Sequence, residues 1–222
     1  MTFIYPDELD SESFAALWPR WSKLFPDQTT DADRRASALA DIVRHYSEPH
    51  RRYHNVSHLL ACLDEFDSSD RSYVDSDVVL TALFYHDVFY DARGVQNEKR
   101  SAVHCKNGTH YLGRPELGAP AAECILATRH NGTDHLLSRE SELVLDIDLS
   151  ILGALPAVFD EYERQIREEY EWVATEKFNA ARAGILQRFI DSPRIYRTHA
   201  SCERLEHRAR ENINRSISKI RP

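Results

Sequence analysis

Three short blocks concentrate the groups able to bind a metal or move a proton: Tyr53-His54-Asn55-Val56-Ser57-His58, Tyr85-His86-Asp87-Val88 and Asp146-Ile147-Asp148. His54 and His58 are four residues apart, so on a helix their imidazoles share one face. A His-x-x-x-His pair holds zinc in helical metalloproteases, but those sites need a Glu after the first His as general base. Asn55 stands there instead. His86-Asp87 follows the run Val78-Val79-Leu80-Thr81-Ala82-Leu83-Phe84-Tyr85, which sets an ionisable pair at the end of an apolar segment. A buried carboxylate and imidazole are costly unless they pair or coordinate a metal. Asp146 and Asp148 sit among Leu143, Val144, Leu145, Ile147 and Leu149 and point to different helix faces, so one of them is free to cap or pair. Imidazoles and carboxylates without cysteine suit a divalent transition metal: manganese, iron, zinc, nickel or cobalt. An Asp able to bridge would admit a second ion, and such a pair activates water and clamps phosphoryl oxygens.

These groups need elements to hold them. Seven glycines and nine prolines in 222 residues favour long helices over many short strands. Apolar residues recur at helical spacing over 31–46 behind Thr30 or Asp31, and again at Leu59, Leu60, Leu63 and Phe66 after Asn55 or Ser57. Asp75 or Ser76 caps a helix through Phe84 that is apolar nearly all round, which predicts burial on every side. Further helices are expected at 97–112, 119–130, 139–153, 156–173, 175–190 and 199–217. Leu143 to Asp148 alternates like a strand, but alone among helices it would lack a partner, so helix is preferred. The prediction is all-α, one compact helical bundle over residues 1–222.

A net charge of −8 with no long basic run argues against a nucleic-acid polymer as partner. No apolar stretch approaches the ~20 residues of a membrane span. The first residues show no secretory signal, and Cys62, Cys105, Cys124 and Cys202 are scattered, reading as core or incidental thiols. A cytoplasmic location is the expectation, compatible with a monomer or a homo-oligomer.

An early His, then His-Asp at a buried helix end, then a distant Asp resembles the HD-domain superfamily over roughly residues 50–155. Arg52-Tyr53-His54-Asn55, Phe84-Tyr85-His86-Asp87, Tyr90-Asp91, Asn97-Glu98-Lys99-Arg100-Ser101-Ala102 and Asp146-Ile147-Asp148-Leu149-Ser150 resemble more closely a bacterial family of predicted metal-dependent HD phosphohydrolases. The resemblance implies His58, His86, Asp87 and Asp148 as metal ligands. The first two blocks are also similar to cyclic-nucleotide phosphodiesterases, which implies His54 as proton donor to the leaving oxygen. Glu98 corresponds to a carboxylate that orients water. Arg52, Asn55, Asn97 and His130 are the candidate substrate contacts. His130 is also the first candidate for a second metal, followed by His104, His110 and His135.

The expected function is hydrolysis of a small phosphorylated molecule, a nucleotide or related phosphoester. The rival readings are an HD-type di-iron oxygenase and a degenerate HD domain that only binds nucleotide. Arg51, Arg52, Arg93, Lys99, Arg100 and Arg129 lie beside the blocks, and one or two are expected on phosphate. Glu161 to Glu169 reads as an exposed, ion-paired helix face, and Trp172, Phe178, Ile185, Leu186 and Phe189 as core.

Overall fold

The computed structural model describes residues 11–129 and 137–220. Among them it is all-α, with no strand: α1 (Ser11–Leu24), α2 (Ala32–Tyr46), α3 (Val56–Ser68), α4 (Ser76–Tyr85), α5 (Asn97–Tyr111), α6 (Gly118–Ala127), α7 (Arg139–Asp148), α8 (Pro156–Glu169), α9 (Thr175–Asp191) and α10 (His199–Ile220). None of these helices is long and apolar enough to cross a membrane.

The caps follow the side-chain chemistry read from the sequence. Asp31, Asn55, Asp75 and Ser138 accept backbone N–H groups at the starts of α2, α3, α4 and α7, satisfying donors that a helix start leaves unpaired. Pro156 opens α8, where its missing N–H costs nothing.

α4 is the axis of the first core. All eight residues from Val78 to Tyr85 are buried, and α3, α5, α6 and α7 pack around them. α1 was not among the expected helices, and Pro19 lies inside it. Leu17, Trp21 and Leu24 nevertheless form one buried stripe. Trp21 meets the Phe84 ring edge-on at 5.0 Å and donates Nε1–H to the Arg35 carbonyl.

A second core of Leu152, Phe159, Leu186, Tyr196, Leu205 and Ile213 joins α8, α9 and α10. α7 and the 3-10 turn that follows it, Leu149–Gly153, connect the two cores, with Ile147 in the first and Leu152 in the second. The helix expected over 139–153 therefore ends at Asp148. The one expected over 156–173 ends at Glu169.

Candidate metal centre

Four side chains from three helices and their ends converge. The Nε2 atoms of His58 (α3) and His86 (just after α4) are 3.1 Å apart. Asp87 Oδ2 lies 3.3 Å from His86 Nε2 and 3.7 Å from His58 Nε2, and Asp148 Oδ1 lies 3.3 Å from His58 and 3.7 Å from His86. Donors held roughly 2.0–2.2 Å from one ion sit roughly 3.0–3.5 Å from each other; three of these separations fall in that range and two lie just beyond it, so the group could hold a metal ion. His86 Nδ1 donates to the Leu83 carbonyl at 2.8 Å. In the neutral ring that leaves Nε2 as the lone pair facing the cluster, the outer-shell arrangement that orients metal-binding imidazoles.

The four groups act strongly on one another's protonation. Burial opposes protonation of His86, yet Asp87 and Asp148 outweigh it and push the imidazole up to about 9. Burial likewise opposes ionisation of Asp87, but His86, His54 and His58 hold it far below the usual carboxylate range. His58 moves the other way, lowered by burial and by its His86 neighbour.

Cys62, one turn beyond His58, was not anticipated as a donor. Its Sγ is 3.7 Å from His58 Nε2, and with His58, His86 and Asp148, though not Asp87, it forms a group whose donor atoms lie within 4.8 Å of one another. Burial, with Asp148 and Asp87 nearby, keeps the thiol protonated. The i,i+4 spacing to His58 was the available signal.

The local fold explains the convergence. Asn55 caps α3 with Oδ1 on the Ser57 and His58 N–H groups while its Nδ2 donates to the Arg52 carbonyl. Arg51, one of six basic residues beside the blocks from which one or two phosphate contacts were expected, is buried and clamps the two motif segments together. Its guanidinium donates to the carbonyls of His54 (3.0 Å), Asp87 (2.6 Å) and Val88 (2.8 Å). The two carboxylates of the third block separate cleanly. Asp146 accepts from Arg197 N, Thr198 N and Thr198 Oγ1 at 2.7–2.8 Å, tying α7 to the start of α10, whereas Asp148 faces the histidines.

His54 stands beside the cluster, not in it. Its Nδ1–H donates to Glu169 Oε2 at 2.7 Å, and its ring stacks on Tyr90 at 4.0 Å. Glu169 Oε1 accepts the backbone N–H groups of Arg52, Tyr53 and His54, each at 2.9 Å, and the Tyr90 hydroxyl reaches Oε2 at 2.8 Å. The exposed-face reading of 161–164 and 167–169 is therefore corrected at three residues: Tyr162 packs on the second core, Glu163 turns in to Arg182 and Ser216, and Glu169 is 6% exposed. Burial lowers the His54 pKa less than Glu169, Asp87 and Asp148 raise it, so the imidazolium is favoured. Glu169 is held down to about 2, because the His54 hydrogen bond and charge, with a backbone N–H and Tyr90, overcome its burial.

A carboxyl depressed in this way stabilises the fold above its unfolded pKa near 4.5, and that stabilisation drains away as pH falls toward 2. The shift is worth about 3 kcal/mol. Denaturant titrations of metal-free protein between these pH values should show wild type losing more stability than Glu169→Gln; equal slopes would contradict the ion pair.

A cavity of about 800 Å³ opens onto His54, Asp87 and Asp148. Asn97 and Glu98 line it, but the Asn97 amide is engaged by the backbone of Asp91 and pins that loop. Arg52 faces a separate groove with Arg93, Arg100 and Trp172. Lys99 and Arg129 are exposed on the surface. His104 is not at the cluster; it pairs with Asp41 of α2 at 2.9 Å. His110 is exposed at the end of α5, and His130 and His135 lie outside the described residues. Of the residues expected in the second core, Leu186 is fully buried, while Trp172 and Ile185 are 50% and 37% exposed and Ile185 and Phe189 line the cavity.

Compared with known proteins, the chain matches no protein-family model, no curated sequence and no solved structure.

Proposed function

We propose that the protein is a metal-dependent phosphohydrolase of the HD type acting on a small phosphorylated molecule, a nucleotide or related phosphoester. The observation that supports this reading is the convergence of Asp87 and Asp148 on the paired Nε2 atoms of His58 and His86, each carboxylate 3.3–3.7 Å from both, beside a histidine braced by a buried carboxylate, on a cavity wall. His58, His86, Asp87 and Asp148 would hold a divalent transition metal, which when bound would supply Lewis acidity toward a phosphoryl oxygen and acidify water.

The chain's own groups do the rest. Glu169 accepts from His54 Nδ1 and so leaves Nε2 to carry the transferable proton. His54 gives that proton to the departing ester oxygen as the P–O bond breaks. Glu98 orients the attacking water and takes up its proton. Tyr53, Tyr90, Tyr162 and Tyr170 on the cavity walls limit access of bulk water.

The oxygenase alternative calls for further histidines around a second iron: His104 is spent on Asp41, and His130 lies outside the described residues. The hydrolytic reading is tested by reconstituting the protein with manganese, iron, zinc, nickel or cobalt. Each preparation is then assayed with p-nitrophenyl phosphate and bis(p-nitrophenyl) phosphate. Metal-dependent release of p-nitrophenol that chelator abolishes is the expected result, and the two reagents distinguish monoesterase from diesterase. Silence with every metal on both would contradict it.

A further inference from the structure

The cavity is electrically divided. Its acidic lining residues, Asp87, Asp91, Glu98 and Asp148, all come from the half that builds the first core. The opposite half contributes four arginines: Arg182 and Arg188 from α9, and Arg194 and Arg197 from the segment before α10. Arg182, Ile185, Arg188 and Phe189 recur at helical spacing, so one face of α9 turns alternately cationic and apolar groups to the cavity. Arg182 is already engaged by Glu163 and Tyr162, and Arg197 also has partners. Arg188 and Arg194 are exposed, and neither guanidinium enters an ion pair with a described residue. They are left as two cavity-lining cations open to an anion, and guanidinium forks match phosphate oxygens in geometry.

We propose that this wall is a second anion subsite. The substrate carries two phosphates: one placed at the metal centre and another held by Arg188 and Arg194, with an apolar body between them over Ile185 and Phe189. The inference rests on the phosphohydrolase reading only for the first phosphate.

The test uses the full-length, metal-loaded protein and calorimetric titration with two matched series, n-alkyl monophosphates and α,ω-alkanediol bisphosphates of increasing chain length. At the best length the bisphosphate should bind about tenfold or more tightly than its monophosphate partner, as expected for added charge-assisted hydrogen bonds. In the double variant Arg188→Ala, Arg194→Ala that advantage should vanish, with metal content and melting temperature as in wild type. Equal affinities at every length, an advantage that survives in the variant, or no binding of either series would overturn the subsite. Phosphate release measured on the same compounds separates the two claims. A bisphosphate advantage without turnover leaves the subsite and removes the hydrolase, whereas turnover without the advantage does the reverse.

Discussion

Replacing Asp148 by Asn is expected to remove metal and activity together, while the same change at Asp146, two residues earlier, leaves both. Asp148 places one oxygen 3.3 Å from His58 Nε2 and 3.7 Å from His86 Nε2. An amide there keeps the shape but loses the charge that a divalent ion requires. Losing about 4 kcal/mol of Lewis-acid stabilisation corresponds to a fall in turnover of roughly 10³-fold or more. Asp146 instead accepts three hydrogen bonds from Arg197 and Thr198. Its replacement leaves a backbone donor poorly paired and should cost about 1–3 kcal/mol of stability, read as a lower denaturation midpoint with metal retained. Equal effects of the two substitutions on metal content would contradict the assignment.

The second large effect is kinetic and spares the metal. His54→Ala should cut kcat by ~10²–10⁴, the usual span for a positioned general acid, with metal stoichiometry unchanged. Glu169→Gln should reproduce much of that loss, since the amide no longer holds the imidazole in one tautomer or stabilises its charged form. The two differ in pH dependence. Activity that needs the His54 imidazolium falls as pH rises through its pKa. Glu169 raises that pKa, so Glu169→Gln should shift the alkaline limb of the kcat profile to lower pH. A profile unmoved by Glu169→Gln would show that the pair is only structural.

Much of this arrangement was legible in the residue order because its parts are local. The α4 run is apolar on all sides, so His86 and Asp87 at its end stood out as ionisable groups forced into a core. Asn55 and Asp75 carried the cap chemistry that starts α3 and α4. The lack of a partner strand among helices chose helix at Leu143 to Asp148 against its strand-like alternation, and the ends of α7 and α8 were misjudged by only a few residues.

What stayed hidden was long-range. Glu169 lies in a charged run whose neighbours Glu161, Arg164 and Glu168 do form an exposed ion-paired face. Nothing local marks Glu169 as the residue that turns inward to meet His54, 115 positions earlier. Only the family resemblance told Asp146 from Asp148 until the start of α10 supplied partners for the first. Arg51 resembled a phosphate contact in sequence and proved to be a clamp, because the carbonyls it binds belong to a segment 36 and 37 residues away. The cavity's cationic wall was missed for the same reason, being built by the helices beyond the motif blocks.

The central claim is that His58, His86, Asp87 and Asp148 together hold a divalent transition metal. Elemental analysis of protein purified and reconstituted in parallel with its variants tests it most directly. The account predicts stoichiometric metal in wild type, Asp146→Asn and Glu169→Gln, and its loss in His86→Ala and Asp148→Asn. Wild-type protein that takes up no metal after reconstitution, or His86→Ala and Asp148→Asn proteins that retain it in full, would contradict the account.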